Sequence, residues 1–353
     1  MAVTSADILR DPVGRYPQAT VACFDPTRGD LPRRELDARR TVQYLERLAA
    51  LEVPAVLIAS STGQGQLRTI EELETWFRCA AEAAMGETVR IGLLRPEDGM
   101  DANARLMALL KASGYPIAFF RPGTDLASGA GDDAVVRNLS PLVREAADQG
   151  RSIGLYSIPD LSGMPLSAEA AARLVNGPGG DHIVAVKITE ADFDTSTARF
   201  LAHPELKHLK IVQGWDPHLA RALREGPRHD PGGRQRSGIT SGLMSLAVYQ
   251  YFHILEAAER GDWEEVDRAQ QAATAVFQSM QDEPGAFADL QRAKYLMGLG
   301  HPLTGEVTDD QVERIFDALT RVDRDADRRR LASSLDLMGD GSFHERLAAI
   351  YSP

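Results

Sequence analysis

Ile183-Val184-Ala185-Val186-Lys187-Ile188 is a run of branched aliphatics that takes in a single lysine. A six-residue run of this kind is too short for a stable helix, so it reads as a strand buried on both faces. Similar runs recur at Thr20–Cys23, Ala55–Ala59, Arg90–Leu94, Pro116–Phe120, Ile153–Ser157, Leu209–Gln213 and Gly238–Thr240. Segments of helical spacing separate them: Leu36–Leu51, Ile70–Ala84, Ala102–Ser113, Val135–Gln149, Ala168–Val175, Thr195–Ala202 and Pro217–Arg224. Regular alternation of strand and helix implies parallel strands joined by crossover helices. Eight strands over about 250 residues are the footprint of an α/β fold, the (β/α)8 TIM barrel, whose chemistry sits on the loops after the strand C-termini. A doubly wound sheet is the competing arrangement, but no Gly-x-Gly-x-x-Gly follows the first strand.

The barrel is expected over 18–260, a C-terminal helical region over 261–322 and a charged helical tail over 323–353. Trp263–Met280, Phe287–Gly298 and Asp309–Val322 carry the helical pattern of the middle region. Gly226–Arg236, rich in Gly, Pro and charge, reads as a surface insertion, and the tail reads as a solvated helix pair or a partner-docking segment.

The chain has 353 residues, 43% of them hydrophobic and 25% charged, which is globular composition and excludes a disordered or collagen-like chain. Its net charge of -12 repels nucleic-acid backbones and anionic lipid, leaving a small molecule as the default partner. The two cysteines, Cys23 and Cys79, lie in apolar stretches far from any metal-binding spacing, which fits a reducing compartment. With no signal-like or membrane-spanning run, the expected location is the cytoplasm.

Three features carry chemistry. Lys187, inside an apolar strand, either reaches solvent at the strand end or points into the barrel mouth, where desolvation would leave a neutral, nucleophilic amine. Tyr156, on the neighbouring strand, is either a core tyrosine or a proton shuttle beside that amine. The loop Ala59-Ser60-Ser61-Thr62-Gly63-Gln64-Gly65 is either a simple turn or a set of hydroxyl and backbone donors suited to a carboxylate or phosphate. All three fall at the C-terminal ends of expected strands.

In this order, the motifs resemble those of the dihydrodipicolinate synthase / N-acetylneuraminate lyase family of Schiff-base aldolases. Phe24-Asp25 with Gly29-Asp30-Leu31 is similar to the family's opening strand and turn, and Ser61-Thr62-Gly63-Gln64 to its carboxylate-binding loop. Leu155-Tyr156-Ser157-Ile158-Pro159 resembles its tyrosine strand and Ile183-Val184-Ala185-Val186-Lys187 its Schiff-base strand. Gln213-Gly214-Trp215-Asp216 and Gly238-Ile239-Thr240-Ser241-Gly242 resemble its two late glycine motifs. The resemblance covers residues 18–322 and implies that Lys187 forms an imine with a 2-oxo acid while Tyr156 relays protons. It implies that Ser61 and Thr62 hold the carboxylate, with Gly63, Leu161, Gly214 and Ile239 completing the substrate site. It implies no metal or organic cofactor, and it implies a homo-oligomer, either dimer or tetramer.

The departures narrow the substrate. Where synthases of this family carry Pro-x-Arg-Thr-Gly, this chain has Pro159-Asp160-Leu161-Ser162-Gly163, so a bidentate carboxylate clamp is lost. Arg121-Pro122-Gly123-Thr124-Asp125 replaces the Pro-Tyr-Tyr motif whose tyrosine completes the relay, and Gln64 stands for the loop glutamate. The expectation is a lyase or aldolase acting on pyruvate or another 2-oxo acid, with an aldehyde as possible second partner, that is not a true dihydrodipicolinate synthase. A non-catalytic 2-oxo acid binding protein and a 2-oxo sugar acid dehydratase are the alternatives. Arg121 is a possible replacement cation for the lost clamp.

Overall fold

The computed structural model describes residues 3–127, 129–281 and 289–351. Strands β1 (Ala19–Ala22), β2 (Ala55–Ile58), β3 (Val89–Leu94), β4 (Ile117–Phe120), β5 (Ser152–Ser157), β6 (Ile183–Ile188), β7 (Lys210–Gln213) and β8 (Ser237–Ser241) close in the order β1-β8-β7-β6-β5-β4-β3-β2. The TIM barrel expected from the sequence is therefore present, with helices between the strands and more at the C-terminal end. Nearly every strand residue is buried, as in a parallel sheet covered on both faces.

Between β5 and β6 the register slips by one residue: Ile153 pairs with Ile183, but Gly154 pairs with Ala185. Val184 is left over as a bulge, and beyond it Tyr156 pairs with Lys187 and Ser157 with Ile188. On the other side of β6, Lys187 pairs with Val212 and Ile188 with Gln213.

The chain divides into two compact units. The first comprises residues 1–20, 52–58 and 86–240 and contains β2 to β7. Here Gly154 is required by packing, since a Cβ at this position would lie 2.2 Å from the Phe119 ring. The helix Ala168–Val175 starts at Ser167, whose hydroxyl caps the Ala170 N–H. The segment Gly226–Arg236 is exposed at Arg228 and over Pro231–Arg234, as a surface insertion would be, but its last residue departs from that expectation: Arg236 is fully buried and donates to the carbonyls of Leu201, Leu206, Leu209 and His229. A guanidinium that meets several carbonyls in a fixed fork can be buried without an acidic partner, which charge patterning alone does not reveal.

The second unit comprises residues 21–51, 59–85 and 241–353. A two-residue antiparallel ribbon pairs Thr27–Arg28 with Glu35–Leu36, and the helix Ile70–Glu82 opens with a Thr69/Glu72 capping box. Helices Val248–Glu259, Trp263–Gln278, Gln291–Leu296 and Asp309–Thr320 follow. Residues 287–288, the start of the expected Phe287–Gly298 helix, lie outside the described residues. The tail forms helices Asp325–Leu335 and Ser342–Tyr351. It is less solvated than its charge implies: Leu331, Leu335 and Phe343 are buried, and Asp327 accepts from Gln250 and Arg330.

Replacing Gly154 with alanine is expected to destabilise the protein by about 1–3 kcal/mol, because the Phe119 ring must leave its rotamer. Denaturant unfolding of Gly154→Ala against the unmodified chain checks this, and an unchanged midpoint would contradict the packing described.

Candidate functional site

β6 places Lys187 in the first unit with its side chain turned toward β5. Its exposure is 4%, and Nζ lies 4.2 Å from the centroid of the Tyr156 ring. Burial lowers the amine to about 7, with Asp216, on the turn after β7, pulling in the opposite direction. An ammonium deprived of water loses its hydration, so near neutral pH a large share of Lys187 is the free amine. Gly214 makes the space for it: a Cβ there would lie 2.9 Å from Lys187 Cε and 2.1 Å from Thr189 Oγ1. Gln213 Oε1 fixes the turn by accepting from the N–H groups of Gly214 and Trp215, both at 2.9 Å.

The Tyr156 hydroxyl is 3.1 Å from Thr189 Oγ1, so phenol and alcohol form a buried hydrogen bond beside the amine. The Thr189 N–H donates to the Ser157 carbonyl at 2.9 Å, which carries the β5–β6 ladder one residue past the end of β6. Ser157 Oγ in turn donates to Glu190 Oε1. Glu190 is pushed above the usual carboxylate range, first by burial and further by the negative charges of Asp160 and Asp192. The loops after β5 and β6 thus concentrate acid rather than base.

Of the other residues singled out from the sequence, Leu161 is half-buried on the one-turn helix Pro159–Ser162, and Ile239 is buried in β8. Neither takes part in the contacts among Lys187, Tyr156 and Gly214. Arg121 is fully buried at the end of β4, where its guanidinium donates to both carboxylate oxygens of Glu97 and to the Pro122 carbonyl. Its charge is already balanced, which removes it as a substitute for the missing clamp.

Ser61, Thr62 and Gly63 belong to the second unit, where they form a 3-10 turn followed by a second over Gly65–Leu67. Ser60 Oγ caps the turn by accepting from the Gly63 N–H and itself donates to the Cys23 carbonyl at 3.0 Å. Two non-glycine residues flank the turn in left-handed conformation, Ala59 at φ 61 and Gln64 at φ 53. Gly63 is obligatory, because a Cβ would lie 2.4 Å from Trp76 and 2.6 Å from the Cys23 carbonyl. Ser61 Oγ is buried and has no hydrogen-bond partner among the described residues. An unsatisfied buried hydroxyl costs free energy unless a ligand meets it, and strained backbone of this kind clusters at binding sites.

Thr189 and Asp216 were not singled out as site residues by the sequence reading. A period-two count could have found Thr189, two residues beyond Lys187 and therefore on the same face of the strand.

Residues 144–311 match the model of the Dihydrodipicolinate synthetase family, a stretch that includes Tyr156, Lys187 and Gly214. Among curated proteins none matches the sequence. Solved structures of similar fold include a variant of 2-keto-3-deoxygluconate aldolase from Sulfolobus solfataricus, at 16% identity and a TM-score of 0.69, covering 91% of this chain and 99% of that one. Dihydrodipicolinate synthase from Cyanidioschyzon merolae with lysine bound is similar at 16% identity and a TM-score of 0.70, covering 87% and 98%. N-acetylneuraminate lyase from Mycoplasma synoviae is similar at 16% identity and a TM-score of 0.66, covering 86% and 97%. At these identities the structural likeness speaks for the fold alone.

Because the free amine is the reactive form, the rate of Lys187 acylation by a small acylating reagent should rise about tenfold per pH unit below neutrality and level off above about pH 7. Peptide mass spectrometry across pH 5–10 reads this profile. A rate still climbing beyond pH 9 would contradict the desolvated amine.

Proposed function

We propose that this chain is a lyase of the dihydrodipicolinate synthetase family that forms an imine between Lys187 and pyruvate or a related 2-oxo acid and makes or breaks a carbon–carbon bond next to it. The observation that carries the reading is the buried amine on the face of Tyr156, held near neutrality by desolvation. In the synthetic direction the Lys187 lone pair adds to the C2 carbonyl, and the oxygen takes up a proton to give a carbinolamine. Loss of water leaves a protonated imine, which accepts the electron pair when C3 gives up a proton. The enamine then attacks an aldehyde carbon, whose oxygen is protonated, and water releases the product and restores the amine. Tyr156, bonded to Thr189, is the group placed to move protons in the carbinolamine steps.

Ser61 and Thr62 are proposed to hold the oxo-acid carboxylate, with Gly63 allowing the turn. The vacant hydrogen-bonding capacity of Ser61 Oγ supports this role. Leu161, Gly214 and Ile239 are proposed to shape the remainder of the substrate site, and the assembly is proposed to be a dimer or tetramer of this chain. Among the described residues no helix is long and apolar enough to cross a membrane.

The acceptor is proposed to be neutral, such as a sugar-derived aldehyde, rather than aspartate semialdehyde. Leu161 offers no charge, Arg121 is committed to Glu97, and Asp160 and Asp192 add negative charge at the neighbouring loops. Desolvating an unpaired carboxylate there costs about several kcal/mol, enough to lower kcat/KM by orders of magnitude.

Incubation with pyruvate and borohydride should add one reduced adduct, mapped to Lys187. An adduct on Lys111, Lys207, Lys210 or Lys294, or none, would overturn the assignment; an adduct without turnover on any aldehyde would favour a binding protein. Tyr156→Phe should slow adduct formation by about 10²–10⁴-fold with little loss of binding. With pyruvate and aspartate semialdehyde together, turnover typical of a synthase would refute the neutral acceptor.

A further inference from the structure

A second buried lysine lies in the helical unit, outside the imine chemistry. Lys294, on the helix Gln291–Leu296, and Asp25, just after β1, both have fully buried side chains, and Nζ donates to Asp25 Oδ1 at 2.9 Å. The other Asp25 oxygen accepts from Arg68, also fully buried, which follows directly on the second turn of the Ser61–Thr62 loop and reaches to Glu72 as well. From the same helix as Lys294, Gln291 Nε2 donates to the Thr62 carbonyl. The loop is closed from a third direction by Gln64, whose Oε1 accepts the Leu303 N–H at 2.7 Å.

Such a cluster is poorly explained by stability. Removing charges from water is costly, and buried ion pairs are often replaced by apolar residues with no loss of stability. Their geometry, by contrast, is strict: one carboxylate ties together the segment before the loop, the segment after it and the C-terminal helix. The loop needs such ties, since Ala59 and Gln64 hold left-handed conformations that an unrestrained chain would leave. We propose that Lys294 and Gln291 are positioning residues that fix the Ser61–Thr62 turn through Asp25 and the Thr62 carbonyl, and so set the affinity for the oxo-acid carboxylate. This rests on the assignment of that turn as the carboxylate site. The C-terminal helical region thereby becomes part of the substrate-binding apparatus.

Lys294→Met leaves Asp25 paired with Arg68 and changes little volume, and Gln291→Leu removes the tie to the loop without touching a charge. In both variants the pyruvate concentration giving half-maximal borohydride trapping should rise by about tenfold, while the limiting rate at Lys187 and its pH midpoint stay as in the parent. A fall in limiting rate with unchanged half-saturation, or two variants that behave as the parent, would overturn the proposal. If Lys294→Met fails to fold by circular dichroism, Gln291→Leu decides. Calorimetric binding of pyruvate to the same proteins separates the two claims. Weakened binding in the variants with no adduct in the parent defeats the imine and keeps the positioning role; an adduct with unaltered affinity does the reverse. No pyruvate binding to the parent defeats both.

Discussion

The cost of taking an ammonium out of water governs the first unit. Lys187 sits in a strand of branched aliphatics with a fully buried tyrosine ring against its amine, and the ring face and the opposing pull of Asp216 give back only part of what water would give the charge. Each neighbouring feature follows from accommodating that side chain. Gly214 lacks the Cβ that would press on Cε, Gln213 holds the glycine turn, and Thr189 occupies the phenol's hydrogen-bonding capacity. A barrel wall is rigid enough to maintain this because its strands are packed on both faces.

Charge is handled differently in the second unit. There a lysine is also excluded from water, but it is given a carboxylate, and the carboxylate is shared with an arginine. The contrast separates two uses of the same residue type. A desolvated amine set against an aromatic ring keeps a lone pair available; an amine bonded to a carboxylate is a fastener. Burial alone does not distinguish them, since both lysines are hidden from solvent and both are lowered. The partner does.

Much of this was legible in the sequence because the strands are buried on both faces, so they read as uninterrupted apolar runs whose ends fall within a residue or two of the observed ones. Ile183–Ile188 and Ala168–Val175 coincide with their elements. The helices Ser5–Arg10 and Pro12–Arg15 and the ribbon of Thr27–Arg28 with Glu35–Leu36 were not legible, being too short to show a period. Arg236 was misread because composition records that a residue is charged and not that four carbonyls await it. Lys187, Tyr156 and Gly214 were legible as a group through motif order, whereas Lys294 was not, because its partner Asp25 lies at the far end of the chain.

The bulge at Val184 decides which way Lys187 faces. Residues paired across neighbouring strands point to the same side of the sheet, and along one strand the sides alternate. Were Val184 instead kept in the ladder with no slip, the partner of Lys187 would be Ser157 instead of Tyr156, and the amine would turn to the opposite face of the sheet. The face on which this lysine emerges is therefore a matter of strand phase. Deleting Val184 would restore an even ladder and leave Lys187 opposite Tyr156, whereas one more residue between Ile183 and Lys187 would need a second slip to keep that pairing, so the length of this short stretch matters as much as its composition.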